Sequence, residues 1–273
     1  MHRNIDEIEF TIFDTETTGL EPESGDRIVE IAGIRFKAGI RISSFHSLVN
    51  PHRQICDAAA KVNNITQEML IGAPDIKDVM PGFLEFAKGS CMCAYNAAFD
   101  MEFLTNEAKL IGLQLPVDII VADVLRMARR LAPGLERYAL WFVAQKFEIE
   151  NRQEHRASSD VELTWEVFRK LLEILKEKSI TDFGNFISLF GIKSSLLENI
   201  TTQKIAKIQE AMDLGVKLKI KYLSSASASV TERVIEPAQI RKEYNSVYLI
   251  GYCDLRKDER SFRIDGILHL EII

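Results

Sequence analysis

Cysteine is scarce: the chain has four in 273 residues, with none of the recurring CxxC pairs of a structural zinc site. Cys91 and Cys93, in GSCMCAYN, fall on one face of a strand and read as buried thiols in a reducing compartment. Long apolar runs are also missing. None approaches the ~20 residues that span a bilayer, which excludes a transmembrane helix and gives no reason to expect a membrane partner. MHRNIDEIEF lacks the apolar core of a signal peptide, so the expected location is the cytoplasm. Basic charge is short overall. The net charge of −6 does not advertise a nucleic-acid binder, although a site built from carboxylates around a cation would itself add acid. The shortage is uneven, because residues 203–273 carry 12 Lys and Arg against 10 Asp and Glu. The length allows two domains, and the charge asymmetry suggests two units with different tasks.

What is present begins with three β-rich runs, residues 9–16, 27–37 and 41–49, separated by polar or Gly turns and read as an antiparallel meander. A loop-and-helix stretch follows to residue 86, with a turn expected at Asn63-Asn64. Residues 90–95 form a short strand. Asn96 is placed to cap a helix with Phe99, Phe103, Leu104, Ala108 and Ile111 at helical spacing. Another strand at 118–123 leads into VLRMARRLAP, and an amphipathic helix is expected over 161–178. This order argues for a mixed sheet with helices on its faces. Residues 179–202 read as a connector, and 203–213 as a helix. Four short strands at 216–222, 231–236, 247–253 and 261–267 have the spacing of a small β-barrel.

The chemistry concentrates in acids. In FTIFDTETTGLEP, strand alternation puts Asp14 and Glu16 on one face, about 7 Å apart. Two carboxylates that close repel unless a cation lies between them, and oxygen ligands select Mg²⁺ or Mn²⁺. A solvated strand face is the alternative; the apolar neighbours Phe10, Ile12 and Leu20 argue against it. Asp100 stands in the first turn of the helix opened by YNAAFD, and Asp160 follows HRASS just before the long helix. His155 and Asp160 are ~500° apart along a helix and cannot share a face, so His155 belongs before the helix, with Ser158 or Ser159 near its cap. A lone surface histidine is the competing reading.

Together, FDTETTGL, YNAAFD and HRASSD resemble the three motifs of the DEDD-type, DnaQ-like 3′–5′ exonucleases that use histidine, the family of the proofreading (epsilon) subunit of bacterial DNA polymerase III. The resemblance covers about residues 9–175. Tyr95 stands where the family often has His, and Asn63-Asn64 where it often has His-Gly; neither position is a metal ligand. The resemblance implies a ribonuclease H-like α/β fold over residues 1–178. It implies two divalent metal ions, Mg or Mn, held by Asp14, Glu16, Asp100 and Asp160, with His155 taking a proton from the attacking water. It further implies that the backbone of Thr17 and Thr18 meets the 3′-OH, that Leu20 wedges against the last base and that Phe99 packs on a base or sugar, core packing being at least an equal reading for Phe99. The partners implied are DNA 3′ ends, or RNA 3′ ends on the same scaffold. A non-catalytic end-binding protein is the third reading, disfavoured because all five positions are filled.

From about residue 203, LKIKY, VIEPAQI and VYLIGYCDLRKDERSFRIDGI resemble a WYL domain, which implies a small Sm/SH3-like β-barrel over 203–273. The name-giving aromatic is replaced by Val247. Tyr248, Tyr252, Arg256, Arg260 and Arg263 remain as candidates for ligand or nucleic-acid contact, or as barrel-stabilising residues. ISLF at 187–190 is similar to the apolar peptide with which replication proteins dock on a sliding clamp, an ordinary amphipathic segment being the competing reading. No polymerase domain lies on the chain, so a proofreading role would require a polymerase partner.

Overall fold

The computed structural model describes residues 3–150, 156–192, 194–244 and 246–273, with the backbone alone at Asp57. Strands β1 (Glu9–Thr17), β2 (Ile28–Lys37) and β3 (Ile40–Leu48) form the expected antiparallel meander. β4 (Cys91–Ala94) and β5 (Ile120–Asp123) extend it parallel to β1, giving a mixed sheet of order β3-β2-β1-β4-β5. The helices of this half are α1 (Asp57–Asn63), α2 (Gln67–Leu70), α3 (Ile76–Ala87), α4 (Ala97–Leu110), α5 (Val124–Leu131), α6 (Leu140–Lys146), α7 (Ala157–Glu177) and α8 (Phe183–Phe190).

The sheet is covered on both faces, and strand alternation decides which residue goes where. Phe10 and Ile12 of β1, with Ala32, Ile34 and Phe36 of β2, pack against α5, α6, α7 and α8. Phe13 and Ile31 pack against α3 and α4 on the opposite face. Phe10 is the hub of the first layer, its ring centroid 5.2 Å from Phe168 of α7 and 5.5 Å from Phe186 of α8. Burial of such rings stabilises by about 3 kcal/mol each, so this layer fixes where α7 lies against the sheet.

ISLF lies within α8, and Ile187, Leu189 and Phe190 are each fully buried in that layer. It is a core helix of this chain, with no apolar face left for a clamp. Two boundaries also differ from expectation. α7 begins at Ala157, four residues before the expected start, because a buried carboxylate, Glu30, accepts its first amide. The later connector and the helix expected from residue 203 are one 20-residue helix, α9 (Ser195–Leu214), capped by the Ser194 hydroxyl and ended by Gly215 in the left-handed region.

β6 (Leu218–Leu223), β7 (Val230–Glu243), β8 (Ser246–Cys253), β9 (Asp258–Arg263) and β10 (Ile267–Ile272) form an antiparallel sheet of order β10-β6-β7-β8-β9. The last expected strand is two, split by a 3₁₀ turn at Ile264–Gly266. Among the described residues no ladder joins β9 to β10, so the closed ring of a barrel is not seen in the pairing. Among the described residues no helix is long and apolar enough to cross a membrane.

Candidate active site

The apolar row that β1 turns toward α7, Phe10 and Ile12, continues as Asp14 and Glu16 where the strand outruns the core. The neighbouring row on β2 does the same, since Glu30 follows Phe36, Ile34 and Ala32 and pairs directly across from Glu16. Asp160 completes the group from the first turn of α7. One ligand oxygen each from Asp14, Glu16 and Asp160 lie within 4.8 Å of one another. Three carboxylates so placed suit a divalent cation with oxygen ligands.

Asp100 arrives from the other face of the sheet. Its Oδ1 accepts from the amide of Thr15 at 3.0 Å and from the Thr15 hydroxyl at 2.8 Å. Thr15 points away from its neighbours Asp14 and Glu16, so one strand carries metal-ligand candidates on one face and a clamp for the fourth acid on the other. Asn96, which precedes α4, is left-handed with φ 68° and makes no side-chain cap. Instead its amide donates to Asp123 at 3.3 Å, the residue that caps α5. Further along α4, buried Glu107 takes both Arg27 Nε and Nη2, at 2.8 and 2.7 Å, and the amide of Ile28 at 3.0 Å. Two acids outside the motifs thus tie the helix of Asp100 to the sheet.

Glu30, missed by sequence reasoning, does the same for Asp160. It is fully buried and accepts from Arg156 Nη2 at 2.6 Å and Nε at 3.1 Å, from the Ala157 amide at 2.9 Å, and pairs with His46 Nε2 at 2.7 Å. The available signal was a charged residue inside the apolar run IVEIAGI, which strand burial tolerates only with partners.

The electrostatics separate Glu30 from the others. Burial favours its neutral form, but hydrogen bonds from Arg156, His46 and Ala157 outweigh that and hold the carboxyl below its ordinary value. Asp14 is driven well above its own by burial, then by Asp100, Glu16, Asp160 and Glu30. Glu16 is pushed up to about 8 by burial and by Asp160, with Arg156 only partly opposing. Asp100 is raised to about 7, mainly by burial, against the hydrogen bonds from Thr15. The protein alone does not balance this charge, and a bound cation would.

His155 lies outside the described residues. Where β1 ends, the Thr17 hydroxyl donates to Gly19 O at 2.6 Å, and the Thr18 hydroxyl to Asp26 Oδ1 at 3.0 Å. The Thr18 amide is taken by Arg27 O at 2.9 Å, which removes it as a contact for a 3′-OH. Asn63, buried at the end of α1, donates to Thr17 O at 3.3 Å, and Asn64 makes the expected left-handed turn. Leu20 is 79% exposed, whereas Phe99 is half-buried with its ring 4.9 Å from Phe103. A Cβ at Gly19 would run into the Asp26 carboxylate, which would have to shift. Gly19→Ala should displace Asp26 and the loop carrying Leu20, raising KM for an oligonucleotide about tenfold with a smaller change in kcat, as steady-state kinetics would read.

In the C-terminal sheet Tyr248 stands between Arg241 and Arg263 across three strands. Tyr252 is exposed, Arg256 is exposed in the turn after β8, and Arg260 is exposed beside Asp258.

The sequence model of the Exonuclease (RNase_T) family matches residues 11–168, more than half of the chain, and that of the WYL domain matches residues 203–272. The chain belongs to the exonuclease family. The chain is 39% identical over 182 residues to the PolC-type DNA polymerase III of Caldanaerobacter subterraneus subsp. tengcongensis, a match covering 66% of this chain and 13% of the polymerase. It is 38% identical over 167 residues to DNA polymerase III subunit epsilon of Treponema pallidum, covering 60% of this chain and 77% of that subunit. The chain thus spans only a small part of the PolC-type relative. Its fold is similar to that of E. coli exonuclease I in a zinc-bound complex with single-stranded DNA, with a TM-score of 0.58 at 16% identity over 89% of this chain and 54% of that one. The matched family models agree with the motif acids on an exonuclease-family domain followed by a WYL domain, and the likeness of fold accords with it.

Proposed function

We propose that this exonuclease removes nucleoside 5′-monophosphates from single-stranded or frayed 3′ ends of DNA with the help of two divalent metal ions. The observation that carries the reading is the meeting of Asp14, Glu16 and Asp160 oxygens within 4.8 Å of one another. The naming of the relatives as DNA polymerase III proteins favours DNA over RNA. Asp14, Glu16 and Asp160 hold metal, with Asp100 supporting from Thr15. Bound divalent ions supply Lewis-acid stabilisation of charge on the phosphoryl and leaving oxygens. His155 takes the proton of the attacking water, the water oxygen bonds to phosphorus, and the bond to the 3′ oxygen breaks. Exposed Leu20 presses against the terminal base, so recognition is of an end and a stack rather than a sequence. The C-terminal unit, a small barrel in this reading, serves regulation or nucleic-acid binding, and a polymerase partner brings the enzyme to primer ends.

The test is a time course on 5′-labelled single- and double-stranded DNA and RNA with Mn²⁺, Mg²⁺ or chelator. The expected outcome is a ladder shortening from the 3′ end of DNA, fastest on single strands and absent in chelator. Digestion persisting in chelator, or no digestion of any 3′ end, defeats the reading. Preferential loss of RNA reassigns the substrate.

A further inference from the structure

Where α5, α8 and α9 meet the C-terminal sheet, the charges do not balance. The turn between β9 and β10 places Asp265 among three arginines: Arg263 Nη2 at 2.6 Å, Arg130 Nη1 at 3.1 Å and Arg126 Nη2 at 3.5 Å. Lys204 of α9 closes the seam, its Nζ donating to Ile267 O at 2.6 Å and Ser188 Oγ at 2.7 Å. Burial pushes the Lys204 ammonium down to about 8, with Asp265 pulling upward and Arg130 pushing further down. Three arginines therefore crowd the carboxylate of Asp265, while Lys204 also feels Asp182 and Arg126 also feels Asp123.

The hydrogen bonds are short of acceptors as well. Arg130 is 5% exposed, and its Nε and Nη2 have no hydrogen-bond partner; neither has Nε of Arg263. The 3.1 Å approach of Arg130 to Asp265 Oδ1 is an ion contact without hydrogen-bond alignment, since that oxygen is itself unpartnered. Buried guanidinium N–H groups are nearly always satisfied, and those that are not point to a missing acceptor. The seam is open on one side, where the side chains of Arg126 and Arg263 are 37% and 31% exposed.

We propose that this seam is a phosphate-binding site shared between the two units, with Arg126 and Arg263 at its mouth and Arg130 behind them. A phosphate group presents several oxygens to guanidinium forks and compensates the excess positive charge. The surroundings suit a nucleotide phosphate. Arg263 pairs across strands with Tyr248, and Tyr248 with Arg241, on the strand face opposite Leu249 and Cys253 of the sheet's core. That row offers a ring for stacking and a further cation. Arg126 lies in the first turn of α5, whose cap Asp123 holds the Asn96 amide at the start of the helix of Asp100. The seam is therefore at the active-site end of the mixed sheet. The phosphate is either that of a free nucleotide or one in the backbone of a strand.

The experiment is titration calorimetry on the full chain in EDTA, which removes metal from the catalytic carboxylates. The probes are inorganic phosphate, dAMP and a short oligothymidylate. One saturable phosphate site per chain is expected, weakened about tenfold or more in Arg126→Gln and in Arg263→Gln, each checked by thermal unfolding to be folded. If either glutamine variant does not fold, the corresponding Arg→Lys variant, which keeps the charge and loses the fork, should still bind several-fold more weakly. Displacement of phosphate by the oligonucleotide assigns the site to a strand, whereas displacement by dAMP alone assigns it to a free nucleotide. Absence of saturable binding by all three probes, or affinities unchanged by both substitutions, overturns the proposal.

Discussion

Asp14→Asn should sharply lower turnover while raising the melting temperature of the metal-free protein. The two effects have one cause. Asp14 carries the most crowded charge in the cluster, raised by burial and by four other carboxylates. If metal supplies about 4 kcal/mol to the transition state, loss of its central ligand lowers kcat/KM on the order of 10³-fold. Without metal the same carboxylate is a liability, and its neutral isostere relieves repulsion. For a chain of this size that is worth roughly 2–4 °C per kcal/mol relieved. The sign of the pH dependence follows. Glu16 titrates from 4.5 to about 8 on folding, so through that window the folded chain binds more protons than the unfolded one. Stability of the metal-free protein therefore falls as pH rises from about 4.5 to 8, and Asp14 and Asp100, also raised, act in the same direction. Glu30, held below its ordinary value, opposes this only at the acidic end. Scanning calorimetry in EDTA at pH 6 and 8, on wild type and Asp14→Asn, checks both signs. A variant that melts lower than wild type at pH 8 would refute the charge argument, and one that still degrades DNA would refute the site.

Part of this arrangement was legible because it is local. Alternation alone puts Asp14 and Glu16 on one face, and the apolar residues preceding them on the same row show that the face is turned inward. Asp100 and Asp160 came with the motifs around them, and Asn64 announced its turn by tolerating left-handed geometry. The rest depends on partners far away in sequence. Glu30 looks like an interruption of an apolar strand until its acceptor role is seen, and Arg156 is 126 residues away. The start of α7 moved for the same reason, as its first amide is satisfied by the sheet rather than by a local cap. Asn96 has the cap position without the cap bond, because Asp123, 27 residues on, fixes its amide instead. ISLF has the composition of a docking peptide, and only the packing of Phe186 and Phe190 against the Phe10 layer shows it to be core.

Glu30 supports the remaining large prediction. It sits directly opposite Glu16, yet its charge is spent on Arg156 and on the N-terminus of α7, where a carboxylate also meets the positive end of the helix dipole. Removing it has two consequences. The first turn of α7, with Asp160, loses its tether, and Arg156 loses the carboxylate that keeps it from acting more strongly on Glu16. Glu30→Ala should therefore lower kcat/KM about 10- to 100-fold, the range for residues that hold metal ligands. It should also cost about 3 kcal/mol of stability, because a buried pair is broken. A purely structural role would lower only the folded fraction. The positioning role also raises the Mn²⁺ concentration needed for half-maximal activity at a temperature where the variant is fully folded. Glu30→Gln, which retains an acceptor for the Ala157 amide, should recover much of the stability and less of the metal affinity. Arg156→Met combined with Glu30→Ala should be less damaging than the two losses added, since both remove one interaction. An unchanged metal requirement in Glu30→Ala, with activity within twofold of wild type, would show that α7 positions Asp160 by core packing alone.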